Sequence, residues 1–314
     1  NLYNMEWRNK LMNRSICVYL EFLTDAHRAQ IEETARRTGF EVHFFTDDQF
    51  EEAKACLQSC EILYAHSPSL LRQAPASLQW YCCAFAGIDP YSKDPSLFAN
   101  PHCLLTNANV YGVTIAEHVV MVTLMLLRRM PEYEGIVRDH RWMNRLPIRS
   151  IRDNEFTILG TGDIGRHVAA NMKALGAAKV IGVCRSGKST DPVWDAVYPI
   201  SALDELLPQA VILVMALPGT PETIGILDRR RISLLQPESY LINVGRGTAI
   251  DQEALMDALN GGRLAGAALD VMDPEPLPPE HPLWETKNLL ITPHTSGNLT
   301  LGYTCDANVA AFCS

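Results

Sequence analysis

Thr157-Ile158-Leu159-Gly160-Thr161-Gly162-Asp163-Ile164-Gly165 runs from a strand-like apolar piece through three spaced glycines into a helical pattern. The glycines fit G-x-G-x-x-G in the context that the pattern requires, strand before and helix after. Gly160 permits a tight turn, and Gly162 lets the backbone approach an anion with no Cβ in the way. Gly165 lets the helix pack closely on the strand, while free N–H groups at the helix start favour a pyrophosphate. Gly160, Thr161, Gly162, Asp163, Ile164 and Gly165 are therefore expected to hold a dinucleotide.

The strand that follows, Val180–Val183, ends in Gly182-Val183-Cys184-Arg185-Ser186-Gly187-Lys188. A site selective for NAD places Asp or Glu there, to accept hydrogen bonds from the ribose hydroxyls. This chain has no carboxylate in that run. Arg185, Ser186 and Lys188 suit a 2′-phosphate through charge-assisted hydrogen bonds. The cofactor expected is NADP(H) by preference, with NAD(H) possible.

On either side of the turn, strand-like and helix-like pieces alternate. Before it come strands at Ser15–Leu20, Glu41–Phe45, Glu61–Ala65 and Leu78–Phe85, with helices at Asp25–Thr38, closed by Gly39, and at Phe50–Gln58. A long helix near Thr114–Met130 and a second at Glu132–Trp142 precede the irregular stretch Leu146–Asn154. Glu117-His118 on the long helix reads as structural. After the turn, strands are expected at Ile212–Ala216, Leu241–Val244, Ala267–Leu269 and Leu290–Ile291. Strands alternating with helices indicate parallel sheets, so the fold class is α/β with two doubly wound domains.

The whole-chain totals narrow the function. A formal charge of −9 argues against nucleic acid or an anionic membrane as the main partner, since both reward a basic face. No run of about 18 apolar residues offers a membrane span, and the start lacks the layout of a signal peptide. The nine cysteines are odd in number and scattered, with no CxxC and no histidine pair at zinc-finger spacing. Free thiols, no metal and a cytoplasmic location are the expectation.

Three polar features close later strands: Asn243-Val244-Gly245-Arg246-Gly247, then Leu269-Asp270-Val271-Met272-Asp273-Pro274-Glu275-Pro276-Leu277, then Thr292-Pro293-His294-Thr295-Ser296-Gly297. Open α/β sheets place their ligands at such strand ends. At these residues, and over roughly Leu78–Gly297, the sequence closely resembles the D-isomer-specific 2-hydroxyacid dehydrogenases, which include glyoxylate and hydroxypyruvate reductases.

The resemblance implies hydride transfer between NAD(P)H and a small 2-oxo acid such as glyoxylate, hydroxypyruvate or pyruvate, giving the D-2-hydroxy acid. His294 matches the general acid and Glu275 its partner carboxylate, which pairs with the imidazolium and orients it. Arg246 matches the guanidinium that grips the substrate carboxylate and carbonyl oxygen. Ala86 and Gly87 match a loop whose backbone N–H groups bind that carboxylate. Further cofactor contacts carried by the matching are Ala216, Leu217, Pro218, Thr223, Val244, Gly245, Asp270 and Gly297. The substrate side chain is expected near Ala65-His66-Ser67 and Phe85, with Trp284 or Tyr111.

The same resemblance implies a Rossmann-type nucleotide domain, 106–294, inserted in a flavodoxin-like substrate domain, 1–105 plus 295–314. It also implies a homodimer, with the long helix as the pairing surface. Ser314 falls in what reads as the middle of a closing helix, so part of the small domain is expected to be short or missing. A dinucleotide-sensing, corepressor-like binding protein of the same fold is the alternative.

Overall fold

The structure, a computed structural model, describes residues 14–152, 154–297 and 302–314. The parts of the expected segments 1–105 and 295–314 that fall in 1–13 and 298–301 lie outside the described residues, as does Asp153 in the irregular stretch. The chain divides into two compact units. One runs to Tyr111 and takes in the C-terminal segment from 298; the other is Gly112–Gly297. The sequence reading places its two divisions after 105 and after 294, ahead of these boundaries.

In the first unit β1 (Ser15–Tyr19), β2 (Glu41–Phe45), β3 (Ile62–Ala65), β4 (Trp80–Cys83) and β5 (Leu104–Asn107) form a parallel sheet in the order β2-β1-β3-β4-β5. β1, β3 and nearly all of β4 are buried, as central strands covered on both faces must be. Helix α1 (Asp25–Thr38) starts at Thr24, whose side chain accepts the His27 N–H, and stops at Gly39 with φ 78°. It buries His27, Ile31 and Ala35 at helical spacing. A second helix, α2, spans Phe50–Leu57.

The C-terminal helix, Tyr303–Cys313, belongs to this unit for identifiable reasons. Asp306 Oδ1 meets His27 Nε2 at 2.8 Å, Asn308 bonds Tyr64, Ala84 and Tyr111, and Phe312 stacks on Tyr64 with centroids 4.1 Å apart.

The second unit opens with α3 (Gly112–Leu127) and α4 (Met130–Arg138). The second helix read over Glu132–Trp142 thus sits earlier. Pro131 fits its first turn, where a missing N–H does no harm, and the chain leaves the helix through Asp139 and His140, the latter at φ 54°.

Seven parallel strands follow: β6 (Glu155–Leu159), β7 (Lys179–Cys184), β8 (Ala196–Pro199), β9 (Ile212–Met215), β10 (Tyr240–Asn243), β11 (Gly266–Leu269) and β12 (Leu289–Ile291). Their order is β12-β11-β10-β9-β6-β7-β8. Helix α5 (Asp163–Ala174) follows β6 and α6 (Gln252–Asn260) follows β10. The chain winds outward from β6 to β8, then returns to β9 and winds the other way. The switch point therefore lies between β6 and β9, with Leu159 opposite Met215. Ligands of such sheets bind at that crevice.

Candidate active site

The glycine turn sits at the switch point. Gly160 has φ 105°, and a Cβ there would lie 2.5 Å from the Ala216 carbonyl oxygen on the neighbouring strand end. A Cβ on Gly165 would lie 1.9 Å from the Gly160 oxygen. The fold itself therefore requires both glycines. Gly162 differs: it caps α5, and a Cβ there would meet no protein atom within 4 Å. Glycine at 162 leaves the backbone open on that side, and the N–H groups opening the 12-residue helix fit a pyrophosphate. Asp163 turns its carboxylate back to the Gly112 N–H (2.9 Å) and the His167 ring (3.2 Å), tying the start of α3 to the start of α5.

At the end of β7, Arg185, Ser186 and Lys188 are all exposed, around Gly187 at φ 64°. Ser186 Oγ accepts the Lys188 N–H at 3.3 Å and shapes the loop. Burial pushes the Cys184 thiol up, but hydrogen bonds from Ser186 and Thr161 outweigh it and hold the thiol below its usual value.

Ala216, Leu217 and Pro218 leave β9 beside the glycine turn, and a Cβ on Gly245 would lie 2.6 Å from the Leu217 oxygen. Thr223 donates its hydroxyl to the Pro218 oxygen at 2.6 Å and accepts the Thr220 N–H at 2.9 Å, so its side chain closes its own loop.

Arg246, Asp270 and His294 follow three adjacent strands. Asn243 at the end of β10 pairs with Leu269 on β11, and Leu269 with Ile291 on β12, so the three chains leave the sheet in one row. Asn243 is buried and shapes the first exit: its amide donates to the Arg246 carbonyl at 2.9 Å and accepts the Gly245 N–H at 3.0 Å. Arg246 lays one guanidinium nitrogen 2.7 Å from the Gly245 oxygen.

Glu275 uses its two oxygens separately. Oε1 accepts the Met272 N–H at 2.8 Å, and Oε2 faces His294 Nδ1 at 2.8 Å. A carboxylate only accepts, so Nδ1 carries a proton and the other imidazole nitrogen, Nε2, is the one that can exchange. With just over half of its side chain exposed, His294 can reach a small molecule.

Behind the histidine lies Asp270, 2% exposed. Oδ1 accepts the Thr292 hydroxyl at 2.6 Å and the Thr295 N–H at 2.9 Å; Oδ2 accepts the Ser296 N–H at 3.1 Å. The Asp270 carbonyl accepts the His294 N–H at 2.9 Å. Burial raises this carboxyl, but the bonds from Ser296, Thr292 and Thr295 overcome that and hold it below the carboxylate range. His294 has φ 53°, a left-handed conformation that costs a non-glycine residue roughly 1–2 kcal/mol. Hydrogen bonds to a charged acceptor contribute about 1.5–3 kcal/mol each, enough to hold the turn there.

His118 on α3, read from sequence as structural, places Nε2 3.2 Å from Thr292 Oγ1. Burial keeps its imidazole below the usual value, although the Asp270 charge acts the other way. Nothing local in the sequence of α3 marks this contact.

A family model described as D-isomer specific 2-hydroxyacid dehydrogenase, NAD binding domain, matches residues 120–296. The chain belongs to this family. Its members are NAD(P)-dependent oxidoreductases acting on 2-hydroxy acids, and the family's nucleotide-binding part covers most of the second unit described above. Among relatives, glyoxylate/hydroxypyruvate reductase A of Escherichia fergusonii is 33% identical over 223 residues, 67% of this chain and 68% of the relative. A D-isomer specific 2-hydroxyacid dehydrogenase family protein of Aeromonas salmonicida superposes with a TM-score of 0.80 at 32% identity, over 94% of this chain and 92% of that one. The NADPH-dependent glyoxylate/hydroxypyruvate reductase of Sinorhizobium meliloti, solved with NADP and sulfate, gives 0.76 at 28% identity, over 96% and 92%.

Proposed function

We propose that this dehydrogenase works as a reductase of small 2-oxo acids such as glyoxylate, hydroxypyruvate or pyruvate, giving the D-2-hydroxy acid, with NADPH preferred over NADH. The observation that carries the reaction is the His294–Glu275 pair, 2.8 Å apart, in the same row of strand exits as Arg246. When bound, the nicotinamide supplies a hydride to substrate C2. His294 passes its Nε2 proton to the carbonyl oxygen as charge builds there, and water then restores it. Glu275 keeps the other ring proton at Nδ1 and fixes the ring plane. Arg246 binds the carboxylate and the same oxygen, where its charge counts most as negative charge grows. Ala86 and Gly87 are assigned the carboxylate as backbone donors; the Asn107 amide holds the Ala86 carbonyl at 2.8 Å and fixes that turn.

The NADPH preference rests on exposed Arg185 with Ser186 and Lys188 at a strand end that carries no carboxylate. The chain is also proposed to pair as a homodimer through α3 and the start of α4, supported by exposed Met121, Leu124 and Met130. A panel of 2-oxo acids with both cofactors tests the reaction, and Arg185→Ala tests the cofactor. Losing one charge-assisted contact to a 2′-phosphate raises KM for NADPH roughly tenfold or more, and leaves NADH unchanged. NADH used as efficiently as NADPH, with Arg185→Ala silent, would end the cofactor assignment. No turnover on any 2-oxo acid, with nucleotide still bound tightly, would turn the reading to a sensor.

A further inference from the structure

The histidine turn is held by a chain of contacts from three elements far apart in sequence. Asp270 follows β11, Thr292 follows β12, and His118 lies on α3. The proton positions follow from chemistry. Thr292 has one hydroxyl proton, and Asp270, an ionised acceptor 2.6 Å away, takes it. His118 Nε2, 3.2 Å from the same hydroxyl oxygen, therefore has to be the donor. The sequence of bonds is His118 Nε2–H to Thr292 Oγ1, then Thr292 O–H to Asp270 Oδ1. Asp270 passes the order on, because it also accepts the N–H groups of Thr295 and Ser296 through its carboxylate and that of His294 through its carbonyl.

We propose that His118 and Thr292 are positioning residues for the reaction, fixing through Asp270 the turn that presents the His294 imidazole. The inference rests on the reading of His294 as the acid. Three observations distinguish it from ordinary packing. His118 is a polar ring with 11% of its side chain exposed, set among the buried Ile115, Val119 and Val122 of its helix, where an apolar residue would pack without needing a partner. Its donor is aimed at a hydroxyl whose own proton is committed to Asp270. The turn so held contains a non-glycine residue at φ 53°, a conformation that persists only when its surroundings over-determine it. His118 and Thr292 need not touch substrate. Their effect is on where Nε2 of His294 stands, and displacements near 1 Å are costly in rate.

The test uses two pairs of variants in the full chain. His118→Phe removes the donor and keeps a ring, while His118→Gln keeps a donor near the Nε2 position. Thr292→Val removes the hydroxyl at equal size, while Thr292→Ser keeps it. The readouts are kcat and KM for the 2-oxo acid, the Kd of NADPH and the melting temperature, with His294→Ala run alongside. We expect His118→Phe and Thr292→Val to lower kcat roughly 10- to 100-fold with the oxo-acid KM within about twofold, and the Gln and Ser variants to recover most of that loss. If His118→Phe does not fold, the Thr292 pair carries the same comparison. The proposal is overturned if kcat of the donor-less variants stays within about threefold of wild type, or if the Gln and Ser variants are no better than Phe and Val. An active His294→Ala would instead remove the reading of the acid on which this rests.

Discussion

Two turns leave the same edge of the seven-stranded sheet, and they are built by opposite means. After β6 the backbone turns at Gly160, φ 105°, and two of its glycines answer a constraint of space: Gly160 and Gly165 lack side chains because neighbouring carbonyl oxygens already occupy the volume. After β12 the backbone turns left-handed at a histidine, φ 53°, and the constraint is one of bonding. Glycine would adopt that conformation freely but carries no imidazole. The chain keeps the imidazole and offsets the strain with buried Asp270, whose carboxylate bonds Thr292, Thr295 and Ser296 and whose backbone carbonyl accepts the His294 N–H. The first turn is made by removing atoms, and the second by adding contacts.

The sharpest way to break this contrast is at His294. General acid catalysis contributes about 10²- to 10⁴-fold, so His294→Ala is expected to lose that much kcat while NADPH binds within about twofold of wild type. His294→Gly separates chemistry from strain. It is equally inactive, yet it unfolds in urea at higher concentration than His294→Ala, by an amount equivalent to roughly 1 kcal/mol, because glycine accepts the positive φ. Equal stability of the two would mean that the turn is not strained. The glycine turn answers next in size. Gly165→Ala drives a Cβ onto the Gly160 oxygen and is expected to cost about 1–3 kcal/mol of stability, as overpacked sites do. Gly162→Ala should leave the unfolding midpoint nearly unchanged and weaken NADPH binding instead. If both alanines destabilised the protein alike, Gly162 would be a packing residue rather than part of the ligand's path.

The same contrast explains what the sequence disclosed. The glycine turn, the central strands and α1 with its Gly39 stop are set by local rules of space and apolar run, so they can be read from neighbours in the chain. Arg246, Glu275 and His294 are read from the sequence only as a family pattern in conjunction, each uninformative alone. β5 and β8 were not legible: both are edge strands, partly or fully exposed along their length, with no apolar run to mark them. Nor was α6, or the early start of α4. The proposed role of His118 was least visible of all. It depends on Thr292, 174 positions away, and on two proton directions that only geometry supplies.

The smallest effect expected is also the most specific to that network. Burial depresses the His118 pKa from its ordinary value of about 6.5, and the Asp270 carboxylate 4.0 Å away opposes this without winning. Between the folded and the ordinary value the unfolded chain binds the extra proton, so this contribution to stability is lost as pH falls from about 7 through the depressed pKa. Asp270 has the same sign in a lower window. Its pKa is depressed by its donors, so its contribution is present above the ordinary carboxylate value and disappears as pH falls through the folded one. His66, depressed by its own burial in the first unit, has the same sign and contributes alike to wild type and variant. The difference between two curves therefore isolates His118. Urea midpoints recorded from pH 8 to 5 should fall more steeply for wild type than for His118→Gln, which keeps a donor and cannot titrate. Parallel curves would mean that the ring is as readily protonated in the folded protein as in the unfolded chain, and that burial does not hold it neutral.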